Sequence, residues 1–102
     1  MPHYVRAAAC ADVPEGMPCP VTVEGHAVLL FNLGGAYHAT AEQCTHADFS
    51  LADGDIEGDR VVCPLHFASF CIKTGEVIDP PACESLRTFP VKVEDDAIWV
   101  EV

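Results

Sequence analysis

Long apolar runs are missing from this chain. The longest strongly apolar stretch, Ala27-Val28-Leu29-Leu30-Phe31, falls far short of the roughly 20 residues that a membrane-spanning helix needs. This argues against a membrane protein. Basic residues are scarce as well. Five Lys and Arg stand against sixteen Asp and Glu, for a formal charge of −11. Such a chain is repelled by phosphate backbones, which argues against nucleic acid as a partner and favours an electropositive protein surface. Part of the acidity also serves solubility. The opening residues Met1-Pro2-His3-Tyr4-Val5-Arg6 lack the charged-then-apolar layout of a secretory signal, so the expectation is a soluble, cytoplasmic protein. A sustained helical period, an internal repeat, a linker and a low-complexity tract are also absent.

Half of the 102 residues are apolar, enough for a globular chain with a modest core. At this size one domain over residues 1–102 is expected, near the length at which a metal centre helps stability. The pattern is one of short strands between turns, which reads as an all-β fold. Tyr4 to Ala8, Val21 to Val23, Ala27 to Leu33 and Ala36 to Thr40 are expected strands. A turn is read at residues 12–16, Glu24-Gly25 turns the chain, and Gly34-Gly35 marks a hairpin. Near the other end, Phe89 to Glu94 and Ala97 to Val102 flank a hairpin at Asp95-Asp96. In the last strand Ile98, Val100 and Val102 share one face, with Trp99 and Glu101 on the other.

Six cysteines in a short chain raise the possibility of a disulfide scaffold. The missing secretory segment argues against it, and so do two of the cysteines themselves. Cys44-Thr45-His46 and Cys63-Pro64-Leu65-His66 form a C-x-H and C-x-x-H pair separated by 16 residues. Two thiolates and two imidazoles in matched short spacings suit a [2Fe–2S] cluster of mixed ligation, with the cysteines on one iron and the histidines on the other. Zinc is the competing reading, because Cys2His2 is a legitimate tetrahedral set. Structural zinc sites usually cluster like ligands, however, whereas each doublet here mixes one Cys with one His. A Cys–His hydrolase is a weaker competitor, since nothing nearby suggests an oxyanion hole or an orienting residue. Cys10, Cys19, Cys71 and Cys83 lack ligand-like spacing and read as free, mostly buried small apolar residues. His3, His26 and His38 read as surface or half-buried residues without ligand duty. The segment from Ala41 to about Asp79, rich in Gly, Asp, Pro, Cys and His, is expected to be unable to bury a conventional core.

The run Glu42-Gln43-Cys44-Thr45-His46, then Ser50-Leu51-Ala52-Asp53-Gly54, then Cys63-Pro64-Leu65-His66 and Thr74-Gly75 resembles the Rieske iron–sulfur family. More narrowly, it resembles the small Rieske ferredoxins that serve bacterial aromatic-ring dioxygenases. The resemblance spans about residues 4–102 and is strongest between 40 and 81. It departs from the family at Phe67, where Gly is frequent, and at Cys71, where Asp or Asn is common. The resemblance implies an antiparallel β base with a small cluster-binding subdomain inserted at about 41–79, the ligand pairs on loop tips, and Pro80-Pro81-Ala82 covering one side of the cluster. It implies one Rieske [2Fe–2S] cluster held by Cys44, His46, Cys63 and His66. The two histidines hold the reducible, surface-near iron, and no residue is catalytic.

High-potential Rieske proteins of cytochrome bc complexes carry two further cysteines and a serine near the cluster. The matching positions here are Phe49, Leu65 and Ala68. Fewer hydrogen bonds to sulfur then imply a low potential. Phe49, Leu65 and Phe67 are expected to form an apolar collar at the tip. Glu42, Asp48, Asp53, Asp55, Glu57 and Asp59 are candidates for its acidic rim. The implied function is a monomeric one-electron carrier, not an enzyme, between a flavin-containing reductase and a terminal Rieske oxygenase that hydroxylates aromatic rings. The alternative is a Rieske small subunit fixed in a larger oxidoreductase such as a nitrite reductase or an arsenite oxidase.

Overall fold

The computed structural model describes residues 3–43, 50–63, 68–79 and 85–102. Among them eleven strands form: β1 (Tyr4–Ala9), β2 (Cys19–Val23), β3 (His26–Leu33), β4 (Ala36–Ala41), β5 (Asp55–Glu57), β6 (Arg60–Val62), β7 (Ser69–Cys71), β8 (Val77–Asp79), β9 (Thr88–Phe89), β10 (Val91–Glu94) and β11 (Ala97–Glu101). They make three sheets, ordered β1-β11-β10, β2-β3-β4-β9 and β5-β6-β7-β8. Every pairing is antiparallel. The all-β expectation holds, and the only helical pieces among the described residues are 3-10 turns at Cys10–Asp12 and Leu51–Asp53. None of the described helices is long and apolar enough to cross a membrane.

Strand β3 explains how the sheets stack. Successive side chains of a strand point to opposite faces, and here both faces are covered, because Val28, Leu29, Leu30 and Phe31 are all completely buried. Val28 and Leu30 pack with Val13, Ala39, Phe89, Ile98 and Val100, joining the second sheet to the first. Leu29 and Phe31 pack on the other side with Leu51, Val61, Phe70, Ile72 and Leu86, joining the second sheet to the third. The run Ala27 to Phe31 is continuously apolar because it lies between two cores. Ile98 and Val100 are buried while Trp99 and Glu101 stay half-exposed, as the alternation predicts.

Two expectations need correction. The segment 41–79 does bury a conventional core: Leu51, Val61, Cys63, Ala68, Phe70 and Ile72 are sealed from solvent. Its strands are only three residues long, too short to display a period in the sequence, and Leu29, Phe31 and Leu86 from outside the segment complete the packing. The expected strand Phe89 to Glu94 is split at Pro90. Thr88 and Phe89 pair with Thr40 and Ala39 of β4, whereas Val91 to Glu94 pair with β11. Proline has no N–H for a ladder, and the chain passes from one sheet to the other at this residue. The Pro90 carbonyl accepts instead from the N–H of Glu101 at 3.0 Å. At the Asp95-Asp96 hairpin both residues take positive φ, 53° and 59°, as a two-residue turn between twisted strands requires.

Candidate metal centre

Each segment that carries a candidate ligand leaves and rejoins the scaffold through a hydrogen-bonded neck. At the first, the N–H of Glu42 donates to the Ala27 carbonyl at 3.2 Å, and Gln43 pairs with Ser50 in an isolated antiparallel bridge. The N–H of Leu51 donates to the Glu42 carbonyl at 2.8 Å. The Ser50 hydroxyl donates to Glu42 Oε2 at 2.8 Å and accepts the N–H of Ala52 at 3.1 Å, capping the 3-10 turn. The buried side chain of Leu51 anchors this neck in the third sheet's core.

At the second neck the N–H of Cys63 donates to the Ala68 carbonyl at 2.7 Å, one step beyond the Val62–Ser69 pair of β6 and β7. Gly54 is required beside it, because a side chain there would strike the carbonyl oxygen of Val62. A third neck precedes and follows residues 80–84. Gly75 donates its N–H to the Cys71 carbonyl and accepts from the N–H of Leu86, both at 2.7 Å.

Of the four predicted ligands, Cys63 is described, and it is completely buried against Leu29, Phe31, Val61, Ala68 and Phe70. Cys44, His46 and His66 lie outside the described residues, as do Asp48, Phe49, Leu65, Phe67, Pro80, Pro81, Ala82 and Cys83. The position of Cys63 suits a metal-bound sulfur. A thiolate withdrawn from water is tolerated only against a cation, and the backbone of Cys63 is already tied at the neck of its loop. The other residues of the two doublets would supply the further thiolate and the imidazoles that a mixed-ligand iron–sulfur site needs. Among the described residues alone, no group of three metal-ligating side chains assembles elsewhere.

The other cysteines and histidines behave largely as the sequence suggests. Cys10, Cys19 and Cys71 form no disulfide, but they are half-buried rather than buried. Burial, with Asp12 nearby, pushes the Cys19 thiol up from its ordinary range. Cys71 stands at the position where Asp or Asn is common. The Thr74 hydroxyl donates to its sulfur and pulls the thiol down, helped by the N–H groups of Thr74 and Lys73 and opposed by burial.

His3 Nε2 meets Glu24 Oε1 at 2.9 Å across two sheets, and His26 lies edge-on to Phe89 with ring centroids 6.2 Å apart. His38 is half-buried with its Nε2 sealed from solvent and unbonded. Burial first, and then Lys73, holds its pKa below the ordinary value.

The acidic rim is partly corrected. Asp55 and Glu57 are exposed on β5, the outer strand of the third sheet, and Asp53 and Asp59 are exposed in the turns on either side of it. Glu42 is half-buried and bonded to Ser50, so it braces the first neck rather than lying on the rim. The sequence held no signal for this bond beyond the proximity of the two residues to the doublet.

Comparisons with known proteins agree with this geometry. The model of the Rieske [2Fe-2S] domain family matches residues 3–90. The biphenyl dioxygenase ferredoxin subunit of Pseudomonas sp. strain KKS102 is 37% identical over 96% of this chain and 91% of its own length. The 3-phenylpropionate/cinnamic acid dioxygenase ferredoxin subunit of Escherichia coli K12 is 40% identical over 98% and 94%. Among solved structures, a Sphingomonas yanoikuyae B1 ferredoxin superposes with a TM-score of 0.93 at 32% identity, covering 98% of this chain and 99% of its own. The ferredoxin in a complex with the oxygenase of carbazole 1,9a-dioxygenase gives 0.88 at 29%, covering 94% and 99%. A nitrite reductase small subunit from Mycobacterium tuberculosis, at 23% identity and a TM-score of 0.88, shares the fold alone.

Three stacked antiparallel sheets, a buried cysteine at a loop neck and the match of residues 3–90 to the Rieske domain model together place this chain among iron–sulfur electron-transfer proteins. This chain belongs to the Rieske [2Fe–2S] domain family. It is a carrier of the dioxygenase-ferredoxin type with a Rieske cluster as its cofactor, not a catalyst.

Proposed function

We propose that Cys44, His46, Cys63 and His66 hold the cluster and that this chain passes electrons from a flavin-containing reductase to a terminal Rieske oxygenase acting on aromatic rings. The cluster, when bound, takes up and releases one electron at a time. Cys44 and Cys63 supply thiolates to one iron. His46 and His66 supply neutral imidazoles to the other, which makes the centre less negative than a four-Cys one and easier to reduce. Residues 41–79 act as the cluster-binding part of a single 1–102 domain, and Phe67 belongs to the contact surface around the two histidines.

The observation that carries this reading is the burial of Cys63 at a closed neck, with its family match. A free, monomeric carrier is further supported by the described part of the surface, and the cytoplasm is its proposed location. The exposed large apolar residues among those described, Tyr4, Met17, Ile78 and Val93, sit on separate elements. They form no broad apolar face of the kind a permanently fixed subunit buries.

Purified protein should be red-brown with about two irons and two sulfides per chain, and Ala at any of the four ligand positions should abolish or cripple cluster retention. One zinc per chain with no visible absorption would sink the reading. Sedimentation as a stable multimer would remove the monomer from it.

A further inference from the structure

We propose that Glu42 and Ser50 are positioning residues for the metal centre, a clamp that holds the first ligand loop at its neck and sets the charge beside it. The proposal rests on the ligand reading above, in which Cys44 and His46 lie between these two residues.

Three observations converge on the pair. First, the bond is a side-chain bond across a loop of eight residues' separation: Ser50 Oγ to Glu42 Oε2 at 2.8 Å. Backbone pairing at the same neck, through Gln43–Ser50 and the Leu51 N–H to the Glu42 carbonyl at 2.8 Å, would already close a simple turn. The extra side-chain bond is therefore a second lock on a loop that is already closed.

Second, the hydroxyl is used twice. It donates to the carboxylate and accepts the Ala52 N–H at 3.1 Å, so the loop neck, the 3-10 turn and the buried Leu51 move as one body. Hydrogen bonds to charged groups are stronger than neutral ones, and removing one partner leaves the other unsatisfied. Third, both ends are tied to the scaffold. Glu42 reaches the end of β3 through the Ala27 carbonyl at 3.2 Å, and Leu51 is sealed in the core that also holds Cys63. The clamp thus ties both flanks of the first doublet to the core that holds Cys63.

A carboxylate here costs something. The chain already carries a formal −11, and a negative charge two residues before Cys44 opposes the uptake of an electron. Retaining it in bonded form is accounted for by the mechanical role, since the carboxylate is the acceptor that orients the Ser50 hydroxyl. The two roles separate by substitution. Glu42→Gln keeps an acceptor oxygen and removes the charge. Ser50→Ala removes the donor and keeps the charge, and Ser50→Thr restores the hydroxyl.

The test uses the holoprotein with three readouts: iron release to a ferrous chelator, amide hydrogen exchange at Leu51 and Ala52, and the reduction potential. Ser50→Ala should release iron and exchange the Ala52 amide about tenfold faster, the factor that corresponds to one hydrogen bond of ordinary strength. Ser50→Thr should return both rates to the wild-type range. Glu42→Gln should retain iron nearly as wild type and show a raised potential, a shift that a purely structural brace would not produce. Wild-type iron release and exchange in Ser50→Ala, or an unmoved potential in Glu42→Gln, would overturn the clamp. Cys44→Ser serves as the control. Full iron retention in it would overturn the ligand reading and the clamp with it. Cluster loss in Cys44→Ser, with wild-type behaviour in Ser50→Ala and Glu42→Gln, would overturn the clamp alone.

Discussion

The N–H of Leu86 donates to the carbonyl oxygen of Gly75 at 2.7 Å, and any side chain on Gly75 would collide with the carbonyl oxygen of Leu86. Gly75 also holds φ +79°, a left-handed conformation that costs an L-residue energy. The two effects act in the same direction. Gly75→Ala should lose on the order of 2 kcal/mol or more, with the thermal midpoint falling by on the order of 10 °C. It should also speed iron loss, because Leu86, which this bond holds, is sealed in the core that contains Cys63. A wild-type midpoint would show that the Leu86 backbone yields easily.

Ala68 is completely buried beside Cys63. The wild-type potential should lie near the low end of the Rieske range, about −150 mV, since Ala68 offers no hydroxyl. Ala68→Ser should raise it by on the order of 50 mV if the hydroxyl reaches a cluster sulfur, the equivalent of one hydrogen bond of about 1 kcal/mol. Redox titration and melting, read together, decide the outcome. An unmoved potential with a drop in stability would mean a buried hydroxyl left without a partner.

His38 makes stability depend on pH. Burial and then Lys73 depress its folded-state pKa below the ordinary value of 6.5. Below that pH the unfolded chain takes up a proton that the folded chain resists. Its contribution is therefore intact above 6.5 and is lost as pH falls through 6.5 toward the folded value. Melting curves across this window should slope less steeply for His38→Gln than for wild type. Equal slopes would show that His38 is protonated without penalty.

The exposed carboxylates Asp55 and Glu57 on outer strand β5 should steer docking to an electropositive surface. Glu57→Lys should slow electron delivery to the oxygenase a few-fold at low ionic strength and little at high. Phe67→Ala should weaken delivery at every ionic strength with the potential nearly unchanged, because apolar contact gives affinity where a charged rim gives rate. Stopped-flow transfer that is indifferent to both salt and Phe67 would place docking on another face.

Much of the base was legible because its strands are long enough to alternate and its turns use Gly34-Gly35 and Asp95-Asp96. Strands β5 to β8 were not, since three residues carry no measurable period and their core is completed by Leu29, Phe31 and Leu86 from elsewhere in the chain. Pro90 was visible in the sequence, yet the change of sheet that it marks depends on two pairings distant in the chain. The proposed ligand set rests on the spacing of Cys44, His46, Cys63 and His66, because short-range chemistry is written into short motifs. The Glu42–Ser50 bond was not legible, because a carboxylate and a hydroxyl eight residues apart give no reason to meet until the Gln43–Ser50 bridge brings them together.

Strand β3 gives this chain one stability instead of two. Val28 and Leu30 face one core, and Leu29 and Phe31 face the other. Neither core can melt without exposing apolar surface on the shared strand, and that exposure destabilises its neighbour. Unfolding should then be cooperative across all three sheets, and a cluster held at Cys63 would protect β1 and β11, two layers away, together with the third sheet. Oxidative damage or iron starvation at one end of the molecule would be registered at the other as a lowered threshold for global unfolding.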